Sequence, residues 1–343
     1  MYYSNSLTTF IMFRVNFYLL LLVIIFGILS GGVKAQDVVY TQFIQSPLTL
    51  NPAITGVFNG DLRVTANYRN QWSSILRGDA INAYAFSADK RFALGRNHVG
   101  IGVVGHFDRA GSLRIGTTQG KASFSFIKSI GQSETSSHFL SFGQDVGIVK
   151  RSMDFISSTF PDTLMFITDF LHFDLTTGLS WVSQLEGHNR FNLGVAVHHI
   201  NGPNVSFFSN RIEHLNRRLT VHGGGEIALS QVISVTPLFL YNKQGEHNAL
   251  QIGTGIRKYF SEDPNANHVD IGVHGQFSDS FFGFEDTAII AVARLSLSHF
   301  MIGLSYDRPT NDLILAGGFN GAVEMTVGYT FGNFVDGRRF DVF

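Results

Sequence analysis

From about residue 61 onward, apolar and polar side chains alternate one by one over stretches of ten residues or more. Successive side chains of an extended strand point to opposite faces, so a period of two means strands with one greasy face and one polar face. At 322–331, Val323, Met325, Val327, Tyr329 and Phe331 alternate with Glu324, Thr326, Gly328 and Thr330. At 171–181, Leu171, Phe173, Leu175, Leu179 and Trp181 lie opposite His172, Asp174, Thr176, Gly178 and Ser180. The segments 191–198 and 269–277 behave alike, and helical spacing fits none of them.

Fourteen such segments are predicted: 61–69, 80–90, 97–107, 113–127, 137–150, 171–184, 190–200, 217–229, 232–242, 248–260, 268–278, 286–297, 299–306 and 320–331. Pro237 lacks a ladder donor, so a bulge is expected in the ninth. A soluble β-sandwich would alternate too, but its strands average about 5–6 residues. Most segments here have the ~9–11 residues or more that a tilted membrane-spanning strand needs. The expected fold is therefore all-β: a transmembrane antiparallel β-barrel of the outer membrane, with lipid outside and a polar lumen. The longest gaps, 151–170 and 201–216, are the fifth and seventh connections. With both termini in the periplasm, odd-numbered connections face outward, where long loops belong.

The remaining segments are assigned by elimination. Residues 1–35 read as a signal peptide: Arg14 precedes an apolar run at 17–30, and small residues lead to cleavage after Ala35. No run of ~18 apolar residues follows, so no spanning helix is expected. Residues 36–60 do not alternate, and form a plug or docking segment in which Phe43, Pro47, Asn51 and Pro52 are the expected anchors. Residues 61–331 are the barrel, and 332–343 a C-terminal tail ending in Phe343, an aromatic that suits a barrel-insertion signal.

Composition excludes several functions. With 25 basic and 26 acidic residues the chain is close to neutral, which argues against nucleic acid as a partner. No cysteine is present, so disulfides, thiolate catalysis and a lipoprotein anchor are excluded. Gly100-Ile-Gly-Val-Val-Gly105 has dinucleotide-loop spacing but continues a strand instead of opening a helix. His198 and His199 are adjacent and would face opposite sides of a regular strand, so a shared metal is not expected. No catalytic, cofactor or metal residues are assigned.

Charges inside a membrane strand belong to the lumen. Parity places Arg63, Asp174, Glu226, Arg257, Asp270, Arg294 and Glu324 there, as a polar network that pairs and cross-links the wall. Arg69 shares the parity of Arg63, whereas Tyr68 and Trp72 suit an aromatic girdle at the rim or a partner contact. The long loops carry Phe155, Phe160, Phe166, Phe207 and Phe208, candidates for contact with a secreted or surface protein.

Tyr40, Gln42, Phe43, Pro47, Asn51-Pro52-Ala53, Gly56, Tyr68-Arg69 and Gln71-Trp72 resemble the PorP/SprF family of type IX secretion system membrane proteins of Bacteroidetes. Gly303-Leu304-Ser305-Tyr306-Asp307 and the Glu324…Gly328-Tyr329-Thr330-Phe331 strand are similar to the family as well. Arg308-Pro309 departs from its usual pattern. The resemblance implies a role in export and, in gliding bacteria, in presenting surface adhesins. It also implies association with other secretion components and with peptidoglycan-linked periplasmic proteins. Two alternatives stand beside it: a transport barrel for a small hydrophobic molecule, which would need an apolar pocket and a lateral opening, and a structural anchor for peptidoglycan-linked proteins.

Overall fold

A bilayer offers no hydrogen-bond partners, so a spanning sheet must leave no open edge. In the computed structural model the first strand meets the last: β1 (Leu62–Gln71) pairs antiparallel with β15 (Ala322–Phe331), from Leu62↔Phe331 to Gln71↔Ala322. Between them, in chain order, lie β2 (Ile81–Leu94), β3 (Asn97–Ala110), β4 (Ile115–Gln132), β5 (Ser137–Ser152), β6 (Asp169–Gln184), β7 (Arg190–His198) and β8 (Arg218–Ala228). These are followed by β9 (Ile233–Val235), β10 (Leu238–Gln244), β11 (His247–Tyr259), β12 (His268–Ser280), β13 (Gly283–Leu297) and β14 (Phe300–Pro309). The structure describes residues 37–73, 79–111, 114–133, 135–153, 169–208, 210–263, 266–280, 283–310 and 321–332. The signal peptide reading of 1–35, Phe343, and the loop residues Phe155, Phe160 and Phe166 lie outside the described residues.

Each strand pairs with its chain neighbours except β9 and β10, which do not pair with each other but both pair with β8 and β11. They are two halves of one wall strand, so the fifteen strands occupy fourteen places in a closed ring. The break falls at Thr236-Pro237, where the missing proline N–H was expected to interrupt the ladder. It does not open the wall: Gly225 N–H donates to Pro237 O at 2.9 Å and Thr236 N–H to Gly255 O at 2.9 Å. Strand ends differ from the sequence reading by up to five residues, most at β4, which runs on to Gln132.

Parity holds around the ring. Leu171, Phe173, Ile271 and Val323 are exposed outward, whereas their neighbours Asp174, Asp270 and Glu324 are buried inward. We call the rim where β1 begins the first rim and the opposite one the second. On the outer face near the second rim, Tyr68, Tyr84 and Phe107 lie in register as a row of tilted rings, with centroids 4.9 and 6.1 Å apart. Near the first rim, Tyr329 and Phe331 meet edge to face at 4.6 Å and Phe300 pairs with Tyr329. These are the aromatic belts expected at two water–lipid boundaries.

The long-loop pattern is uneven. The β7–β8 connection forms a small flap closed by the Asn204↔His214 bridge. On the same rim, however, β10 and β11 are joined by the tight turn Gly245-Glu246, with Gly245 at φ 64°. Length asymmetry between the rims therefore rests on the first, fifth, seventh and last connections, 72–80, 153–168, 199–217 and 310–321, all on that rim. His199 also departs from the sequence reading. It follows the end of β7 with φ 57°, so it turns inward, and both it and His198 are buried.

Lipid contact at mid-wall and at the rim should differ in cost. Val103→Arg in the middle of β3 should lower the unfolding free energy of the reconstituted barrel by about 2–4 kcal/mol. Leu94→Arg, at the end of β2, should cost only about 0–1 kcal/mol. Denaturant titration in lipid vesicles, followed by tryptophan fluorescence, checks this; equal costs would contradict the placement of the bilayer.

Candidate functional site

The lumen holds the N-terminal segment. Two sequence devices shape it. Pro47 starts a single helical turn, Pro47–Leu50, and Pro52 starts a 3-10 turn, Pro52–Ile54; proline suits a first helical position because its missing N–H has no partner to lose there. Asn51 caps the second turn, its Oδ1 accepting from Ala53 N–H at 2.9 Å. Every residue from Asn51 to Gly60 is buried, as are Phe43 and Pro47. The segment descends the lumen. Tyr40, near the second rim, places its hydroxyl 3.3 Å from His106 Nδ1, and Asp61 N–H donates to Phe331 O (2.8 Å) at the first rim.

Part of its hold is apolar. Phe43, Leu50, Ile54 and Val57 pack with the inward-facing Ile127, Phe139, Val182, Leu238 and Leu240. The inner wall thus has an apolar sector that the polar-lumen expectation did not include. The segment covers it, each fully buried side chain contributing about 1.5–3 kcal/mol.

The rest is polar and specific. Asn51 Nδ2 donates to Leu179 O at 3.0 Å and Val195 O at 3.3 Å, and lies 3.0 Å from His222 Nε2. Ser141 Oγ donates to Ala53 O and Ser125 Oγ to Thr55 O, both at 2.6 Å. The approach is close enough that wall glycines are required. A Cβ at Gly178 would overlap the Asn51 carboxamide, and one at Gly143 the Pro52 carbonyl. Gly100, the first residue of the dinucleotide-like pattern, likewise faces Thr55 O.

The lumen charges fall into four groups. Near the second rim, Arg69 Nη2 pairs with Asp307 at 2.7 Å and Nη1 with Glu324 at 3.2 Å. Glu324 accepts the backbone N–H groups of Thr41 and Gln42 at 2.7 and 2.8 Å, and Thr41 Oγ1 donates to Asp307 at 2.9 Å. Farther around, Asp174 pairs with Lys121 and lies 2.7 Å from His199 Nδ1. Toward the first rim, Arg190 and Arg257 both reach Glu226 Oε2 at 2.7 Å, Arg257 Nε meets Asp270 at 2.7 Å, and the Tyr259 hydroxyl donates to Glu226. Arg63 forks onto Asp89 at 3.0 and 2.8 Å, and Asp89 also accepts Gly56 N–H at 2.7 Å.

All seven lumen charges named from parity face inward. Glu226, Arg257 and Asp270 share one cluster, with Arg294 beside it; Arg63, Asp174 and Glu324 belong to three others. Arg69, which shares the inward parity of Arg63, is 7% exposed and serves the segment from inside. Tyr68 faces out, and Trp72 is half-buried at φ 62° with its N–H on Gly321 O. Phe207 packs edge-on against Phe170 at 5.1 Å and Phe208 lies under Arg211 at 5.1 Å, both half-buried. The sequence reading does not name Asp89, Lys121, Asp145, Arg190 and Asp307, although strand parity points all five inward. Among the described residues no group of metal-ligating side chains is found.

A family model described as type IX secretion system membrane protein PorP/SprF matches residues 32–329. The chain belongs to this family. That makes it an outer-membrane β-barrel of the type IX secretion system, in a family of secretion membrane proteins and not of enzymes. No curated protein matches the chain. Among solved structures it is similar to CdiB from Acinetobacter baumannii, at 7% identity and TM-score 0.45, over 78% of this chain and 60% of that one. It is similar to the Ralstonia pickettii toluene transporter TbuX at 8% identity and TM-score 0.43, over 84% and 94%. The outer membrane protein Omp33 of Acinetobacter baumannii matches at 8% and 0.39, over 81% and 100%. The chain spans about 60% of the length of the CdiB chains it matches.

Substitutions at Gly178 and Glu324, each with a companion variant, probe the segment's seat. Gly178→Val should expel the Asn51 side chain and open residues 38–60 to protease, whereas Gly120→Val, which meets nothing within 4 Å, should leave digestion unchanged. Glu324→Ala should cost about 3–5 kcal/mol because it strands buried donors. The double variant with Arg69→Ala should cost less than the sum of the singles in the same unfolding assay.

Proposed function

We propose that this barrel is a non-enzymatic scaffold of the type IX system, supporting export and surface attachment of a partner protein such as a gliding adhesin. The observation that carries the reading is the occupied lumen: residues 38–60 act as a plug, seated on Asn51 and on the Arg69–Glu324 pair. A barrel filled by its own chain serves better as a docking body than as an open conduit. Its first rim would face the periplasm and meet other secretion components and peptidoglycan-linked proteins. Its second rim, with Tyr68, Trp72, Phe207, Phe208 and the loop carrying Phe155, Phe160 and Phe166, would face the surface partner. Residues 1–35 would be removed as a signal peptide, and 332–343 would form a tail. Such a role calls for no cofactor.

Transport of a small hydrophobic molecule is less well supported. That activity needs an apolar cavity and a gap in the wall, but the break at Pro237 stays hydrogen-bonded on both sides. The cavity between segment and wall at the first rim is lined by four arginines.

Deleting residues 37–56 should abolish secretion of the partner, and the tagged full-length protein should recover secretion-ring components or one large adhesin by affinity purification and mass spectrometry. Intact secretion in the deletion, or recovery of neither class together with ligand uptake by proteoliposomes, would defeat the proposal.

A further inference from the structure

Between the N-terminal segment and the wall lies a cavity of about 180 Å³. It reaches the first rim, where the turn residues Ala266, Ser298 and His299 line its mouth. Pro47 and Phe58 of the segment close its inner side. Space of this size takes a small ligand, below the ~300–1,000 Å³ of drug-sized sites.

The charge around it does not balance. Arg63, Arg190, Arg257 and Arg294 all line the cavity. Among the described residues they meet three carboxylates: Asp89 on Arg63, Glu226 on Arg190 and Arg257, and Asp270 on Arg257. Arg294 is left over. It is 9% exposed, its Nε is buried with no hydrogen-bond partner, and it forms no ion pair among the described residues. A buried guanidinium without an acceptor is costly, and its planar fork is shaped for an oxyanion. Asp270 is the nearest source of compensation, but Arg257 already holds its Oδ1.

We propose that this cavity binds one singly charged oxyanion group, a carboxylate or phosphate, on Arg294. The neighbouring arginines add attraction without needing to break their own pairs. The group enters from the first rim, either as a free small anion or as the head of an anionic lipid. This assignment does not depend on the secretion role proposed above.

The test uses the mature barrel in a neutral detergent and calorimetric titration with three probes: acetate, inorganic phosphate and short-chain phosphatidylglycerol. At least one should bind saturably. Arg294→Gln should weaken that binding by about tenfold or more, as expected for loss of a charge-assisted hydrogen bond, whereas Lys258→Gln on the outer face should not change it. Ser296→Phe, which fills the cavity and keeps every charge, should also abolish binding and serves if Arg294→Gln fails to assemble. Binding of acetate or phosphate assigns a free anion, and binding of phosphatidylglycerol alone assigns a lipid head. No saturable binding of any probe, or unchanged binding in both Arg294→Gln and Ser296→Phe, overturns the proposal.

Discussion

Closure of β1 on β15 is the constraint from which the rest follows. An unclosed edge in hydrocarbon would leave a row of N–H and C=O groups unsatisfied, at several kcal/mol each. Once the ring closes, parity is no longer free: a slip of one residue would turn Arg63, Arg69 and Glu324 toward lipid. The seam is also pinned from inside. Arg69 and Glu324 stand directly opposite across it, as do Asn67 and Thr326, which share a 2.7 Å hydrogen bond. Cross-strand pairs of this kind fix register in any antiparallel sheet. Here they do so where the first and last strands of the chain must find each other.

A closed ring of fourteen places raises a second problem. Side chains alone fill a barrel of about eight strands, and a wider one leaves space. The N-terminal segment occupies that space and brings its own backbone donors with it. The N–H groups of Thr41 and Gln42 satisfy Glu324, and that of Gly56 satisfies Asp89. The wall gives up side chains to admit it, at Gly143 and Gly178, and offers an apolar sector on β4, β5, β6 and β10 for Phe43, Leu50, Ile54 and Val57. Segment and wall are therefore complementary at the level of single methyl groups.

Much of this was legible in the sequence because the period of two is a local property. Glu324 lies between Val323 and Met325, and no knowledge of its partner is needed to turn it inward. Pro237 announced the broken strand for the same reason. Pairing was not legible. Arg69 and Glu324 are 255 residues apart, and the choice of Asp89 for Arg63 depends on the register between β1 and β2. Nor did alternation reveal the apolar sector, because Ile127, Val182 and Leu240 each follow an apolar outward residue, Phe126, Trp181 and Phe239, so the change of face is hidden at that step. His199 escaped because one left-handed residue after β7 cancels the parity rule.

The lumen charges divide by what completes them, and the division explains how the segment is held. Around the first rim, Glu226 and Asp270 are satisfied by wall residues: Arg190, Arg257 and Tyr259. Near the second rim, Asp307 and Glu324 face one guanidinium from the wall, Arg69, and depend on Thr41 and Gln42 for the balance. Taking the segment out would leave the first-rim cluster intact and the second-rim pair of carboxylates short of donors in a confined space. Uncompensated buried charge costs more than an exposed pair gains. The segment is thus tied to buried charge at its N-terminal end, at the rim opposite the one where it joins β1. Its other end is held by continuity with β1, by Gly56 N–H on Asp89 and by Arg91 donating to Phe58 O, so neither end of the segment is loose.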